Sequence, residues 1–170
     1  MAYKYSFNNF NKETMAKASS TNVTISLKKS VETLKMVKGK KVSTVKDFLG
    51  KVMEKKAVVP YTRYKAEMGH KRGKGIDTGG YPVNVAKEVL RLVIAAEKNA
   101  SEQEISGDLF VLSASSRKGS GRYHNGRYSG RKMKSTNLEV IVGLKEIKKT
   151  KTSVGGDKKW LREKLLRISF

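Results

Sequence analysis

The apolar patterns along the 170-residue chain predict one folded domain that contains both helices and strands. Three segments repeat apolar residues at the spacing of an amphipathic helix. Two segments alternate apolar and polar residues with the period of a half-buried strand, and a third strand is a short apolar run. The predicted order is strand, helix, helix, loop, helix, strand, arm, strand and tail.

The first half of the chain begins with a strand and two helices. A strand is predicted over residues 22–28, where apolar and polar residues alternate. The first helix follows from Ser30, and Gly39 is a suitable stop signal. Ser43 is a suitable N-cap for the second helix, which carries a continuous apolar stripe: Val45, Phe48, Leu49, Val52 and Met53.

The second half contains the third helix and two strands. This helix is predicted to begin at Tyr81-Pro82 and to extend to Ala100, and its wide apolar face makes it the expected centre of the core. Strands are predicted over residues 109–114, which are strongly apolar, and over residues 138–144, which alternate strictly.

The two last strands bracket a segment that we call the arm, about residues 115–135. No acidic residue occurs between Asp108 and Glu139. The arm is too long for a tight turn, since favoured hairpin connections have about two to five residues. It is therefore predicted to be an extended arm or a disordered tip. A basic linker between domains is the alternative, but the flanking strands return the arm to one sheet.

The composition of the arm indicates contact with a nucleic acid. Cations that can bind phosphate alternate with rings that can stack on unpaired bases. The candidate contact residues are Arg117, Lys118, Arg122, Tyr123, Arg127, Tyr128, Arg131, Lys132 and Lys134.

A second basic segment, residues 57–81, repeats this chemistry, and we call it the basic loop. It lacks periodicity and is rich in glycine, which predicts a long irregular connection. Its candidate contact residues are Tyr61, Arg63, Tyr64, His70, Lys71, Arg72 and Lys74.

Composition excludes several classes of protein. The chain has 37 Lys and Arg against 15 Asp and Glu, a net charge of +22, which favours a polyanionic partner. It has no cysteine, so disulfides and cysteine-based zinc sites are excluded and a cytosolic location is expected. No segment is apolar enough for a signal peptide or membrane span. Neither histidine has the surroundings of a catalytic group, and we expect no enzyme, cofactor or metal.

Several short motifs follow one another at characteristic spacing. They are Tyr3-Lys4-Tyr5-Ser6, Thr14-Met15-Ala16-Lys17-Ala18, Lys38-Gly39-Lys40, Val59-Pro60-Tyr61 with Arg63-Tyr64, Met68-Gly69-His70-Lys71, Gly80-Tyr81-Pro82, Glu97-Lys98-Asn99-Ala100 and Gly126-Arg127. Over roughly residues 3–146, they resemble the family of large-subunit ribosomal protein twenty-two of archaea, called protein seventeen in eukaryotes. The long loop around Gly69, which the bacterial branch lacks, favours the archaeal or eukaryotic type.

The resemblance implies an α+β fold with three helices packed on a three-stranded antiparallel sheet and a long, extended β-hairpin arm. It implies that residues 1–146 form a single domain that binds large-subunit ribosomal RNA and supports subunit assembly. The hairpin tip, with Arg122, Gly126 and Arg127, would help line the tunnel through which the nascent peptide leaves. Neighbouring ribosomal proteins, including protein four at the tunnel constriction, are the expected protein partners.

Two alternative functions remain to be tested, and the C-terminal segment is predicted separately. The main alternative is an architectural DNA-binding protein that places a basic β-arm in a groove. An RNA-modifying enzyme would need a cofactor pocket that the sequence does not indicate. Residues 147–170 are predicted to be a basic C-terminal extension, in which Asp157 is a suitable N-cap for a short helix over residues 157–168.

Overall fold

The computed structural model describes residues 5–73 and 75–144. The elements in chain order are β1 (Met15–Val23), α1 (Leu27–Val37), α2 (Val42–Met53), β2 (Val59–Pro60), β3 (Gly79–Gly80), α3 (Val83–Glu102), β4 (Leu109–Lys118), a short 3₁₀ helix (Gly126–Tyr128) and β5 (Thr136–Leu144). The predicted extension over residues 147–170, with its helix over 157–168, lies outside the described residues. No helix in the described ranges is long and apolar enough to cross a membrane.

The main sheet has three antiparallel strands in the order β1, β5, β4. In the central strand β5, Val142 pairs with Ala16 of β1 on one side and with Val111 of β4 on the other. Three helices together with this sheet confirm the predicted α+β class.

The first strand lies earlier in the chain than the sequence predicts. β1 ends at Val23, so the strand predicted over residues 22–28 is wrong, and the chain there leaves the sheet and enters α1. The buried positions of β1 are Ala16 and Ala18, whose small side chains give only a weak apolar alternation. The alternation of apolar residues over 22–28 does not mark a strand. Its residue Ile25 is buried at the connection between β1 and α1.

The helices cover one face of the sheet. α3 packs against β1, β5 and α2, and α1 packs against β4, which confirms α3 as the centre of the core. Two boundaries differ from the prediction. α1 begins at Leu27 rather than Ser30, and α2 has Lys41 as its N-cap while Ser43 lies in the first turn. Fully buried residues of α3 include Ala86, Val89, Val93, Ala96 and Ala100.

The segment before β1 contacts the other face of the sheet. The Ser6 backbone N–H and hydroxyl donate hydrogen bonds to Glu139 Oε2 at 3.0 and 2.5 Å. The Lys17 ammonium lies 5.0 Å from the ring centroid of Tyr5 and 4.8 Å from that of Phe10. Because both faces of β5 are covered, Glu139 and its neighbours along the strand are buried.

The basic loop is closed at its base by a short ladder that the sequence did not predict. β2 and β3 pair antiparallel through Val59 with Gly80 and Pro60 with Gly79. A Cβ atom on Gly79 would lie 2.9 Å from the Val59 carbonyl oxygen, so only glycine allows this close approach. The ladder brings the two ends of a 25-residue loop together at the surface of the core.

Candidate nucleic-acid interface

A buried carboxylate on α1 holds the start of the basic loop. Glu32 is only 1% exposed. Its oxygens accept hydrogen bonds from the backbone N–H groups of Thr62, Arg63 and Tyr64 at 3.1, 2.8 and 2.9 Å, and from the Thr62 hydroxyl at 3.2 Å. Three consecutive backbone groups are therefore fixed from inside the protein, while the Arg63 side chain stays exposed.

These hydrogen bonds keep Glu32 ionised. Burial by itself would raise the pKa of the carboxyl, because it disfavours the charged form. The bonds from Tyr64, Thr62 and Arg63 outweigh burial, so the pKa of Glu32 is lowered from its ordinary value of 4.5. A negative charge thus lies beneath the base of a positively charged loop.

Tyr61 differs from the other candidate contact residues because its side chain is buried, with only 5% exposed. Its backbone N–H donates to the Thr78 carbonyl at 2.9 Å, and its own carbonyl accepts the Thr78 hydroxyl at 3.0 Å. Burial, and then the charge of Glu32, raise the pKa of the phenol. The ring anchors the loop in the core and is not exposed for stacking, contrary to the prediction.

The outer part of the basic loop places cations beside aromatic rings. The Arg63 guanidinium lies 5.4 Å from the centroid of the half-buried Tyr64 ring. The Lys71 ammonium lies 5.8 Å from the centroid of Tyr81, a ring that the sequence analysis did not include among the contact residues. Such pairs present charge and a flat apolar surface together.

His70 is paired with an acid at the far end of the basic loop. Its Nδ1 lies 2.7 Å from Asp77 Oδ1, and both side chains are mostly exposed. Arg72 is exposed and makes no ion pair with any described residue. Lys74 lies outside the described residues.

The arm is a hairpin that continues past the regular sheet. β4 and β5 pair as far as Lys118 and Thr136. Beyond them, the Met133 N–H donates to the Arg122 carbonyl at 2.7 Å, and the His124 N–H donates to the Arg131 carbonyl at 3.0 Å. The tip is formed by the 3₁₀ helix. These cross-arm bonds favour an ordered arm over the alternative of a linker.

The candidate contact residues of the arm are exposed. Tyr123 and Tyr128 are 54% and 56% exposed. Lys132 lies 5.3 Å from the Tyr123 centroid, and Arg131 lies 5.3 Å from the Tyr128 centroid. The exposed cations of the arm are Arg117, Lys118, Arg122, Arg127, Arg131, Lys132 and Lys134. Cations and aromatic rings that alternate along the sequence of the arm therefore lie against one another in the folded arm.

Asn22 ties the end of β1 to both sides of the arm where the arm leaves the sheet. Its Oδ1 accepts hydrogen bonds from the N–H and hydroxyl of Ser120, each at 3.0 Å, and from the Ser135 hydroxyl at 3.2 Å. Its backbone N–H donates to Asn137 Oδ1 at 2.8 Å. Asn22 has a φ of +56°, which asparagine tolerates better than most residues. We call this network the Asn22 clasp.

The cations of the arm have almost no acidic partners within residues 5–73 and 75–144. Arg117 Nε lies 3.6 Å from Oε1 of the buried Glu139, so this one cation is partly offset. No other cation of the arm is in an ion pair with a described residue. The arm therefore presents concentrated positive charge.

The body offers no constellation typical of catalysis or metal binding within the described ranges. No group of three or more His, Cys, Asp or Glu side chains is placed to hold a metal ion there. Clefts of about 410, 290 and 440 Å³ occur, and neither His70 nor His124 lines any of them. The clefts of about 410 and 290 Å³ lie beside the arm, where Lys134 lines both.

Sequence reasoning missed the residues that position the interface. Glu32, Glu139 and Asn22 act through partners that are distant in the chain, as with Asn22 and Ser120, which are 98 residues apart. No local signal was available for Glu139 either, because in the alternating strand predicted over residues 138–144 it occupies a polar position, which is expected to face solvent.

Comparison with known proteins identifies relatives over most of the chain. The family model described as ribosomal protein L22p/L17e matches residues 18–143. A protein of Methanococcoides burtonii, named large ribosomal subunit protein uL22, is 33% identical over 136 residues, covering 76% of this chain and 89% of that protein.

Two further archaeal proteins with the same name are similar. The one from Ignicoccus hospitalis is 34% identical over 142 residues, which covers 78% of this chain and 89% of that protein. The one from Thermofilum pendens is 38% identical over 108 residues, which covers 63% of this chain and 71% of that protein.

Proposed function

Since the chain belongs to the ribosomal protein L22p/L17e family, of archaeal type, we propose that it binds large-subunit ribosomal RNA through the basic loop and the arm. As a member of this family it is a structural constituent of the large ribosomal subunit in the cytoplasm, and it is not an enzyme. Its partners are ribosomal RNA and other ribosomal proteins.

The unneutralised charge of the arm is the main support for RNA binding. Apart from Arg117, the arm cations have no acidic partner among the described residues, and two rings there are more than half exposed. Phosphate groups would neutralise the cations and release counterions, and unpaired bases would stack on the rings. Recognition of RNA shape would then decide where the protein binds.

The arm also suits a role in the exit tunnel. It is a hairpin whose tip carries Gly126 and Arg127, while Arg122, which was also predicted at the tip, lies nearer the sheet opposite Met133; all three residues are exposed. In the proposed assembly, RNA surrounds the arm, the protein thereby supports subunit assembly, and the tip contacts the nascent peptide and the neighbouring protein four at the constriction.

Sedimentation tests the association with large subunits. The tagged protein in a cell lysate should co-migrate with large subunits at moderate salt, and free migration would contradict the proposal. Competition tests the DNA-binding alternative: structured ribosomal RNA should displace a labelled ribosomal RNA transcript much better than duplex DNA of equal length. Equal competition would favour an architectural DNA-binding protein.

Cross-linking tests the tunnel placement, because the chain has no cysteine and accepts a single reactive thiol. Arg127→Cys, at the tip, should cross-link to nascent chains in stalled ribosomes when it carries a thiol-specific cross-linker. Lys51→Cys, on the exposed surface of α2, is the matched control and should not. Equal labelling from both positions, or none from the tip, would exclude the tip from the tunnel.

A further inference from the structure

Two adjacent clefts beside the arm share lining residues, and together we call them the groove. The first, of about 410 Å³, is lined by residues from the end of β1 and from both sides of the arm. The second, of about 290 Å³, lies between the connection from β1 to α1 and the start of α3. Thr24 and Lys134 line both clefts. The groove therefore runs from the arm to Tyr81, where the basic loop ends.

The charged side chains that line the groove, among the residues that the structure describes, are all cations. They are Lys29, Arg122 and Lys134. None of the three is in an ion pair with any residue in the described ranges. By contrast, Lys41 and Lys46, elsewhere on the body, are paired with Asp108 and Glu97. Positive charge in the groove is available for an anion from outside the protein.

The remaining polar lining of the groove consists of short side chains that carry hydroxyl or amide groups. These groups bind phosphate and sugar oxygens in complexes with nucleic acids and do not by themselves select a base. Tyr81, an aromatic residue, lies at one end of the lining, and it is 37% exposed. The short polar side chains are Thr21, Asn22, Thr24, Ser26, Asn84, Ser120 and Ser135.

We propose that this groove holds the sugar–phosphate backbone of one RNA strand, which passes from the basic loop to the arm. The inference rests on the proposed function and adds to it the part of the RNA that is bound and the residues that bind it. A chain of phosphates fits better than a single anion, because the three cations are spread over two adjacent clefts. Tyr81 stacks on a base at the end of the bound segment.

Hydrogen bonds within the protein join several parts of the groove wall to one another. The Asn22 clasp fixes Ser120 and Ser135 in its wall. The Thr136 hydroxyl donates to the Ile25 carbonyl at 2.9 Å, which joins the start of β5 to the connection before α1. A preformed wall reduces the entropy that is lost on binding. Because Asn22 lies at the end of β1, the Asn22 clasp also joins both sides of the arm to that strand.

A pair of double variants tests the groove with a large-subunit ribosomal RNA transcript as the probe. Lys29→Ala/Lys134→Ala removes two groove cations, and Lys51→Ala/Lys98→Ala removes two exposed cations that do not line the groove. Affinity is measured across a series of salt concentrations. The slope of log affinity against log salt should fall by about 1.5 to 2 units in the groove variant only.

The outcomes separate this inference from the proposed function. If the wild type does not bind the transcript, the proposed function fails, and the groove fails with it. If the wild type binds and both variants lose affinity and slope equally, only the groove is overturned. Circular dichroism spectra should match the wild type in both variants, since all four lysines are exposed.

A second measurement does not depend on loss of affinity. Thr24→Cys places a thiol where both clefts meet, and an attached iron chelate cleaves nearby RNA backbone. Cleavage of the bound transcript should fall on one short contiguous stretch of a single strand. The same chelate on Ser43→Cys, in the exposed first turn of α2, should not cut that stretch. Absence of cleavage from Thr24→Cys in a complex that has formed would overturn the groove as an RNA site.

Discussion

The Glu32 carboxylate accepts a hydrogen bond from the Arg63 backbone N–H at 2.8 Å, so a buried acid of α1 fixes the backbone of a residue whose cationic side chain is exposed. The two residues are 31 positions apart. The basic loop, residues 57–81, would lose much conformational freedom on binding RNA if it were unconstrained. Glu32 removes part of that freedom in advance, without occupying the outer surface.

Replacing Glu32 with glutamine should destabilise the fold and loosen the loop. The glutamine amide group would place N–H donors against backbone N–H groups that need an acceptor. The substitution also removes the negative charge that strengthens these hydrogen bonds. We expect the free energy of unfolding, measured by urea titration, to fall by about 2 kcal/mol. Hydrogen exchange at the Arg63 and Tyr64 amides should accelerate. Glu54→Gln, at an exposed ion pair with Lys56, is the control and should change neither quantity.

Stability should depend on acid pH through the same carboxylate. The pKa of Glu32 is lower in the folded protein than its ordinary value of 4.5, so its contribution is complete above that value and is lost as pH falls through the folded pKa. The stability difference between wild type and Glu32→Gln should therefore shrink below pH 4.5. Urea titrations from neutral to acid pH measure this difference. A constant difference across that range would contradict the assignment.

Replacing Gly119 with alanine should disrupt the Asn22 clasp. A Cβ atom there would clash with Ser135 Oγ and lie 2.7 Å from Asn22 Oδ1, so both side chains must move. We expect a loss of about 1 to 3 kcal/mol of unfolding free energy and faster proteolysis within the arm. Gly121→Ala is a close control, because its nearest neighbour would be the Met133 carbonyl oxygen at 4.0 Å. Similar behaviour of the two variants would show that the clasp does not order the arm.

Removing arginines from the arm should weaken the dependence of RNA binding on salt. We expect the triple replacement of Arg122, Arg127 and Arg131 by alanine to reduce the slope by about 2 to 3 units, since each phosphate contact contributes about 0.7 to 0.9. Filter binding at several salt concentrations measures the slope. Alanine at Lys51, Lys87 and Lys98 removes the same charge from helix surfaces and should have a smaller effect. An unchanged slope in the arm variant would count against the arm as a contact site.

Several elements could be predicted from sequence because their signals are local. α2, α3 and β5 have wide apolar stripes or strict alternation, and these periods follow from backbone geometry alone. β1 could not be found in this way, because its buried residues are alanines and its place depends on pairing with β5 at the other end of the chain. The exposure of most candidate contact residues could be predicted because charged side chains rarely lie in a core. Tyr61 is buried because it directly follows β2, whose pairing with β3 places it against the core.

Composition and apolar periodicity show that the protein is strongly basic, that its charge is concentrated on an arm and a loop, and that helices and strands share one core. Both can be read along the chain without knowledge of the fold. How the arm and the loop are held and joined depends on contacts that form only in the folded protein. Glu32, Asn22 and Lys134 acquire their roles only when distant segments meet, because a hydrogen bond or a groove requires partners that only folding brings within a few ångströms.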